Sequence, residues 1–175
     1  YRRCCLLLAK QASDSEFMRV LIVKTSSLAD IVHALPVLDF LHKASPGIEI
    51  DWVVEECFAD MLIGNPLINR VITVEAKKLR SKLFSLSTWR VISLLKADLA
   101  AAGYNIVFDL QGDLKSGLIT KYSVCSRRYG FDADAVKEAA NLRFTTNQVP
   151  LRKQDQHATD RLLRVVSVPF GKDYS

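Results

Sequence analysis

Chemistry in this chain is concentrated in the run Lys24-Thr25-Ser26-Ser27-Leu28-Ala29-Asp30. A carboxylate at position 30 has two roles open to it. It can complement the positive end of a helix as a first-turn acid, or it can serve as a general base aimed out of a cleft. Thr25, Ser26 and Ser27 supply hydroxyls suited to accept from the free backbone N–H groups where a helix begins. Lys24 is the first of three groups of basic residues. Lys77, Lys78, Arg80 and Lys82 form the second, and Lys115, Arg127 and Arg128 the third. Taken singly, each is an ordinary solvated charge. Converging on one rim, they would hold an anion beside the carboxylate.

The elements around these residues decide whether such convergence is available. Val20 to Val23 is a continuous apolar run bounded by charge, the pattern of a strand buried on both faces of a parallel sheet. Ile31, Leu35, Leu38 and Leu41 recur at helical spacing, so a helix should follow, kinked or restarted at Pro36. The same patterning predicts strands over 48–54, 71–74, 105–110 and 127–131. It predicts a short helix near 59–63 and longer ones over 88–102, 114–124 and 156–166, while 132–150 is irregular. Strands and helices alternate, which argues for an α/β fold: one doubly wound, Rossmann-like parallel sheet. Such sheets bind ligands at the carboxyl ends of their strands, and Lys24, Lys77 and Lys115 each lie at or just past such an end. Trp52 and Trp89 read as core, and His33 as a polar residue packed beside the first helix.

Composition narrows the partners. The chain of 175 residues is 49% hydrophobic and 25% charged, with a net charge of +5, which suits an anionic partner: nucleic acid, anionic lipid or a phosphorylated glycan. Residues 1–17 depart from the pattern of the rest and read as an upstream or artificially added extension. Without them the balance is still basic, 21 Lys and Arg against 17 Asp and Glu. No apolar run approaches the roughly 20 residues of a membrane span. Cys4, Cys5, Cys57 and Cys125 lack metal-ligand spacing and read as free thiols of a reducing compartment. His33, His42 and His157 are scattered, so no metal site is expected. There is no G-x-G-x-x-G after the first strand and no G-x-x-x-x-G-K-[ST] anywhere, which argues against dinucleotide and P-loop nucleotide binding.

Three stretches carry a resemblance to a known family. Lys24 to Pro36, Asp51-Trp-Val-Val-Glu-Glu56 with Phe58, and Asp109-Leu-Gln-Gly112 with Lys115-Ser116 resemble the heptosyltransferase I family of bacterial lipopolysaccharide synthesis, within glycosyltransferase family 9. The resemblance spans about 18–166. It implies the N-terminal, acceptor-binding domain of a two-domain GT-B transferase, with 167–175 starting an interdomain linker and a C-terminal nucleotide-sugar domain lying outside the chain. The implied reaction is inverting transfer of heptose from ADP-heptose to Kdo of the inner core, with the chain alone inactive.

Asp30 is then the catalytic base. Lys24, Thr25, Ser26, Ser27, Lys77, Lys78 and Arg80 are implied to bind the Kdo–lipid A acceptor. Gln111, Gly112, Lys115, Arg127, Arg128 and Glu138 join them. No metal or other cofactor is implied. The implied setting is cytoplasmic, peripheral to the inner face of the inner membrane, with no nucleic-acid partner. The chain departs from the family at Ala29, where Gly is usual, and at Lys137, where Arg is usual before Glu138. His157 with Arg161, and Asn147, resemble further family positions. Read from the residues alone, a non-catalytic basic module for a phosphorylated glycan or nucleic acid stays open.

Overall fold

The computed structural model describes the backbone of residues 18–75 and 86–174, and the side chains of those residues apart from 86–89. Six strands form one sheet: β1 (Arg19–Val23), β2 (Glu49–Glu55), β3 (Arg70–Val74), β4 (Ile106–Asp109), β5 (Arg128–Phe131) and β6 (Asn147–Val149). Every pairing is parallel, in the order β3-β2-β1-β4-β5-β6. The parallel register explains the strand composition. With helices on both faces, Val20 to Val23 and residues 106–108 are wholly buried and have no solvent side on which to place polar groups.

Five α-helices flank the sheet: α1 (Leu28–Ala34), α2 (Pro36–Ala44), α3 (Leu86–Ala101), α4 (Leu114–Tyr122) and α5 (Ala158–Ser167). Pro36 restarts the first helix as anticipated, because it has no N–H to continue the ladder and sits at the first position of α2. The alternation along β1 splits the core in two. Val20 and Ile22 pack with Trp52, Phe108, Ile31, Leu38, Leu41 and Val165 on the face covered by α1, α2 and α5. Leu21 and Val23 pack with Val53, Val107, Leu99 and Ile119 on the face of α3 and α4. The sheet is therefore wound on both sides, as its strand order requires.

Two local expectations need correction. The segment anticipated as a short helix near 59–63 is a 3-10 helix, Glu56–Met61, which begins directly at the end of β2. The irregular stretch holds a second 3-10 helix, Ala139–Arg143, and strand β6, which pairs with the outer edge of β5. Trp52 is wholly buried as read, with its indole N–H donating to the Lys24 carbonyl at 3.1 Å; the Trp89 side chain lies outside the described ones. Residues 168–174 fold back on the domain: Lys172 Nζ donates to the Ala44 carbonyl at 2.9 Å, and the Tyr174 hydroxyl donates to Asp155.

Packing of α4 on the 139–143 turn gives a test of the fold. Gly117 lies inside α4, where Ala would ordinarily be favoured by about 1 kcal/mol. A Cβ there would stand 2.4 Å from the Phe144 ring and 3.0 Å from Asn141 Nδ2, so the close approach outweighs propensity. Gly117→Ala should lower stability by about 1–3 kcal/mol in chemical denaturation. A stabilised variant would show that this contact is looser than described.

Candidate functional site

The strand order reverses between β1 and β4, and open α/β sheets form their ligand crevice at such a switch point. Here the two carboxyl ends are tied together by Gln111, which is buried. Its Oε1 accepts from the Ser26 N–H at 3.4 Å, and its Nε2 donates to Ser26 Oγ at 3.3 Å. Lys24 follows β1 directly. Its N–H donates to the Val53 carbonyl at 3.3 Å, so it continues the sheet, and the residue is only 3% exposed. Alternation along β1 puts its side chain on the α1 and α5 face, in series with Val20 and Ile22.

Asp30 occupies the first turn of α1, with Ser27 as the preceding cap. Its Oδ2 collects three contacts: the Ser27 N–H at 3.2 Å, Lys24 Nζ at 3.5 Å and Lys137 Nζ at 3.3 Å. Partial burial pushes this carboxyl up. The Lys24 charge, the Ser27 N–H and Lys137 together outweigh it and hold Asp30 below its ordinary value. Lys24 is driven the other way. Burial disfavours its charge more than Asp30 supports it, and Lys137 adds repulsion, so its amine titrates below the ordinary range. The capping role of Asp30 and its place at the rim thus coexist, because the Ser27 N–H uses one oxygen. Among the described residues no hydrogen bond or ion pair falls on Oδ1.

A cleft opens over this pair, lined also by His33, Leu110, Phe131, Ala135 and Arg161. Arg161 lies with its guanidinium 5.9 Å from the centre of the Phe131 ring and donates to the Ala135 carbonyl at 3.4 Å. His33 is exposed on α1 rather than packed away. Ala29 is exposed in the same turn, so its methyl is not buried against a neighbour.

The structure separates the other candidates. Thr25 is buried, and its hydroxyl has no partner among the described residues. Gly112 takes φ +75°, which favours glycine, and turns β4 into α4. Lys115 stands in the first turn of α4 and faces Glu55 at 3.5 Å instead of Asp30. Arg127 and Arg128 are a correction: they precede and begin β5, so a parallel sheet places them on the opposite rim from Asp30. There Arg128 donates to the Cys125 and Phe144 carbonyls. Glu138 accepts from the Leu114 N–H at 2.8 Å, at the start of α4. Asn147 lies on β6 and accepts from the Thr146 hydroxyl, and His157 is the exposed cap residue of α5. Lys77, Lys78, Arg80 and Lys82 lie outside the described residues.

Two residues that organise the site were not among the sequence candidates. Lys137 was noted only as a departure from Arg, yet it contacts Asp30 directly. Asn141 donates to the wholly buried Asp109 at 2.7 Å. Asp109 also accepts from the Gln111 and Gly112 N–H groups at 3.1 and 2.9 Å, and the Ser116 and Thr120 hydroxyls lie at 3.0 and 3.4 Å. Burial still raises the Asp109 carboxyl above its ordinary value, against these donors. Among the described residues there is no group of three or more His, Cys, Asp or Glu placed to hold a metal ion, and no helix long and apolar enough to cross a membrane.

Comparison with known proteins places this geometry. No family model matches the chain. Lipopolysaccharide heptosyltransferase 1 of Pseudomonas aeruginosa is 40% identical over 147 residues, covering 82% of this chain and 40% of that protein. The Escherichia coli K12 enzyme of the same name is 35% identical over 154 residues, 88% of this chain and 48% of its own length. The chain is a homologue of lipopolysaccharide heptosyltransferase I. It spans about half the length of the curated relatives it matches. The structure of the E. coli heptosyltransferase WaaC with ADP-2-deoxy-2-fluoro heptose superposes with a TM-score of 0.83 at 34% identity, covering 90% of this chain and 50% of that one. The six-stranded parallel sheet thus matches the sheet of one half of a GT-B heptosyltransferase. E. coli heptosyltransferase II, at 17% identity and a TM-score of 0.66, shares the fold.

The buried lysine gives a pH test with a defined sign. Between the lowered native midpoint of Lys24 and its ordinary 10.5, the unfolded chain binds the extra proton. The stability linked to Lys24 therefore rises with pH across that window. Lys24→Met keeps the aliphatic length and removes the charge. Thermal melts should show the variant at or above the parent at neutral pH, with the difference shrinking as pH approaches 10.5. A variant that melts lower at neutral pH would mean that the Lys24–Asp30 pair is a net stabiliser.

Proposed function

We propose that this chain is the acceptor-binding part of an inverting glycosyltransferase that moves heptose from ADP-heptose to a Kdo of the lipopolysaccharide inner core, with Asp30 as the general base. The observation that carries the reading is a carboxylate held ionised at the switch-point rim between a buried and an exposed lysine. An acceptor bearing carboxylates and phosphates brings its own anions to Lys24 and Lys137. Each lysine it engages is withdrawn from Asp30, whose basicity then rises just as the acceptor hydroxyl arrives. Oδ1 takes the proton while the hydroxyl oxygen forms its bond to the anomeric carbon of the donor. ADP leaves from the opposite face, which inverts the configuration.

The remaining candidates support acceptor binding unequally. Lys24, Ser26, Ser27, Gln111 and Gly112 belong to the two loops that meet at the cleft. Arg161 adds a cation on its far wall. The run at 77–82 follows β3 and is proposed to extend the basic rim toward the phosphates of the acceptor. Association with the inner face of the inner membrane is proposed to be peripheral and through charge. A nucleic-acid module is disfavoured. Tyr129 and Phe131, the aromatics beside the basic residues 127 and 128, are each only 7% exposed and offer no stacking surface.

Asp30→Asn separates the two roles of this residue. Asn keeps a side-chain oxygen for the Ser27 N–H and loses the basicity, so an active polypeptide containing this chain should lose about 10²–10⁴ in kcat. Its melting temperature and its affinity for a Kdo–lipid A acceptor should stay near those of the parent. A near-normal kcat would reduce Asp30 to a helix cap and end the mechanism.

A further inference from the structure

Lys137 is half exposed, on a loop between β5 and the 139–143 turn, yet its ammonium is delivered to one oxygen of Asp30. The loop reaches that position because it is held on both sides. At its start, the Asp132 N–H donates to the Val149 carbonyl at 3.3 Å, and the Ala135 and Val136 N–H groups close a turn on the Asp132 carbonyl. At its end, the Glu138 N–H donates to the Gly112 carbonyl at 3.0 Å while Glu138 Oε2 accepts from the Leu114 N–H at 2.8 Å. Asn141 continues the attachment, donating to Asp109 at 2.7 Å and to the Asp113 carbonyl at 2.8 Å.

We propose that Glu138 is a positioning residue, whose carboxylate clasps the 132–138 loop onto the amino terminus of α4 and so sets the Lys137 ammonium against Asp30. The inference rests on the reading of this cleft as the acceptor site, and it moves Glu138 from acceptor contact to loop control. Leu114 is the first residue of α4, and its N–H is one of the donors a helix leaves without an internal partner. An anion is favoured there by the helix dipole. Neither Glu138 nor Asp109 lines the cleft. The backbone at 137 packs close over the β4–α4 turn, where a Cβ on Gly112 would meet Lys137 N at 3.4 Å. A long exposed lysine on an unanchored loop would lose both loop and side-chain freedom in reaching one oxygen. The clasp removes the loop's share of that cost.

The test is the titration of the Asp30 carboxylate, followed by carbon-detected NMR in the whole chain without any acceptor. Lys137→Ala should raise the Asp30 midpoint, since it deletes a cation that lowers it. Glu138→Ala should raise it too. Removing a negative charge would by itself lower that midpoint, so a rise reports the displaced lysine and not the field of Glu138. The double variant should go no higher than Lys137→Ala. Glu138→Gln keeps an oxygen for the Leu114 N–H and should titrate at or below the parent. Glu138 is exposed, so these variants should fold, which their melting curves will show. An Asp30 midpoint that Glu138→Ala leaves unchanged or lowers, or single shifts that add in the double variant, would overturn the proposal. The readout involves no sugar. A failure of the Asp30 base mechanism would leave it standing, and its failure would leave that mechanism untouched.

Discussion

A lysine ammonium fixed at the carboxyl end of a buried central strand needs a counter-charge, and much of the architecture serves to place one. Lys24 cannot retreat to solvent. Its backbone continues the β1–β2 ladder, and the Trp52 indole holds its carbonyl. Burial pulls its amine toward neutrality, and Asp30, six residues on, is the main offset to that pull, with Asp109 adding to it. The sharp turn through Ser26 and Ser27 brings the first turn of α1 back over the strand end. The carboxylate that caps the helix is thereby the one that faces the lysine. One geometry satisfies both the helix and the buried charge, at the rim where a base is proposed.

The second layer is built from the other side of the switch point. Asp109, buried and surrounded by two backbone N–H groups, an amide and two hydroxyls, fixes the β4–α4 turn and reaches through Asn141 to the 139–143 segment. Gln111 then bridges that turn to Ser26. The two halves of the cleft are coupled through these contacts, so Lys137 meets Asp30 although 107 residues separate them. A buried carboxylate costs several kcal/mol if any donor is lost, which explains why so many donors gather on this one.

Most of the fold was legible because parallel strands carry a strong signal: the apolar runs at 20–23 and 106–108 admit few alternatives to a doubly covered sheet. Asp30 was legible for the same reason, since strand, hydroxyl turn and helix follow one another without interruption. The parts that were not legible depend on partners distant in sequence. β6 is three residues long and owes its existence to the free edge of β5. Lys137 and Asn141 sit in a stretch with no periodicity, and their roles come from contacts to Asp30 and Asp109. Arg127 and Arg128 were grouped with the rim by charge, but strand direction sends the start of β5 to the opposite end of the sheet. Glu138 stood in the sequence reading as an acceptor contact, while its backbone partner at Leu114 is visible only in three dimensions.

The proposed catalysis at Asp30 requires an anionic sugar to bind at this rim. Amide chemical-shift mapping of the whole chain titrated with Kdo reads this most directly. Binding at this rim should give saturable shifts concentrated at residues 24–30, 111–113 and 135–138, fading as salt is raised. Shifts gathered instead at the opposite rim, around Arg127 and Arg128, or no saturable shift at all, would contradict it.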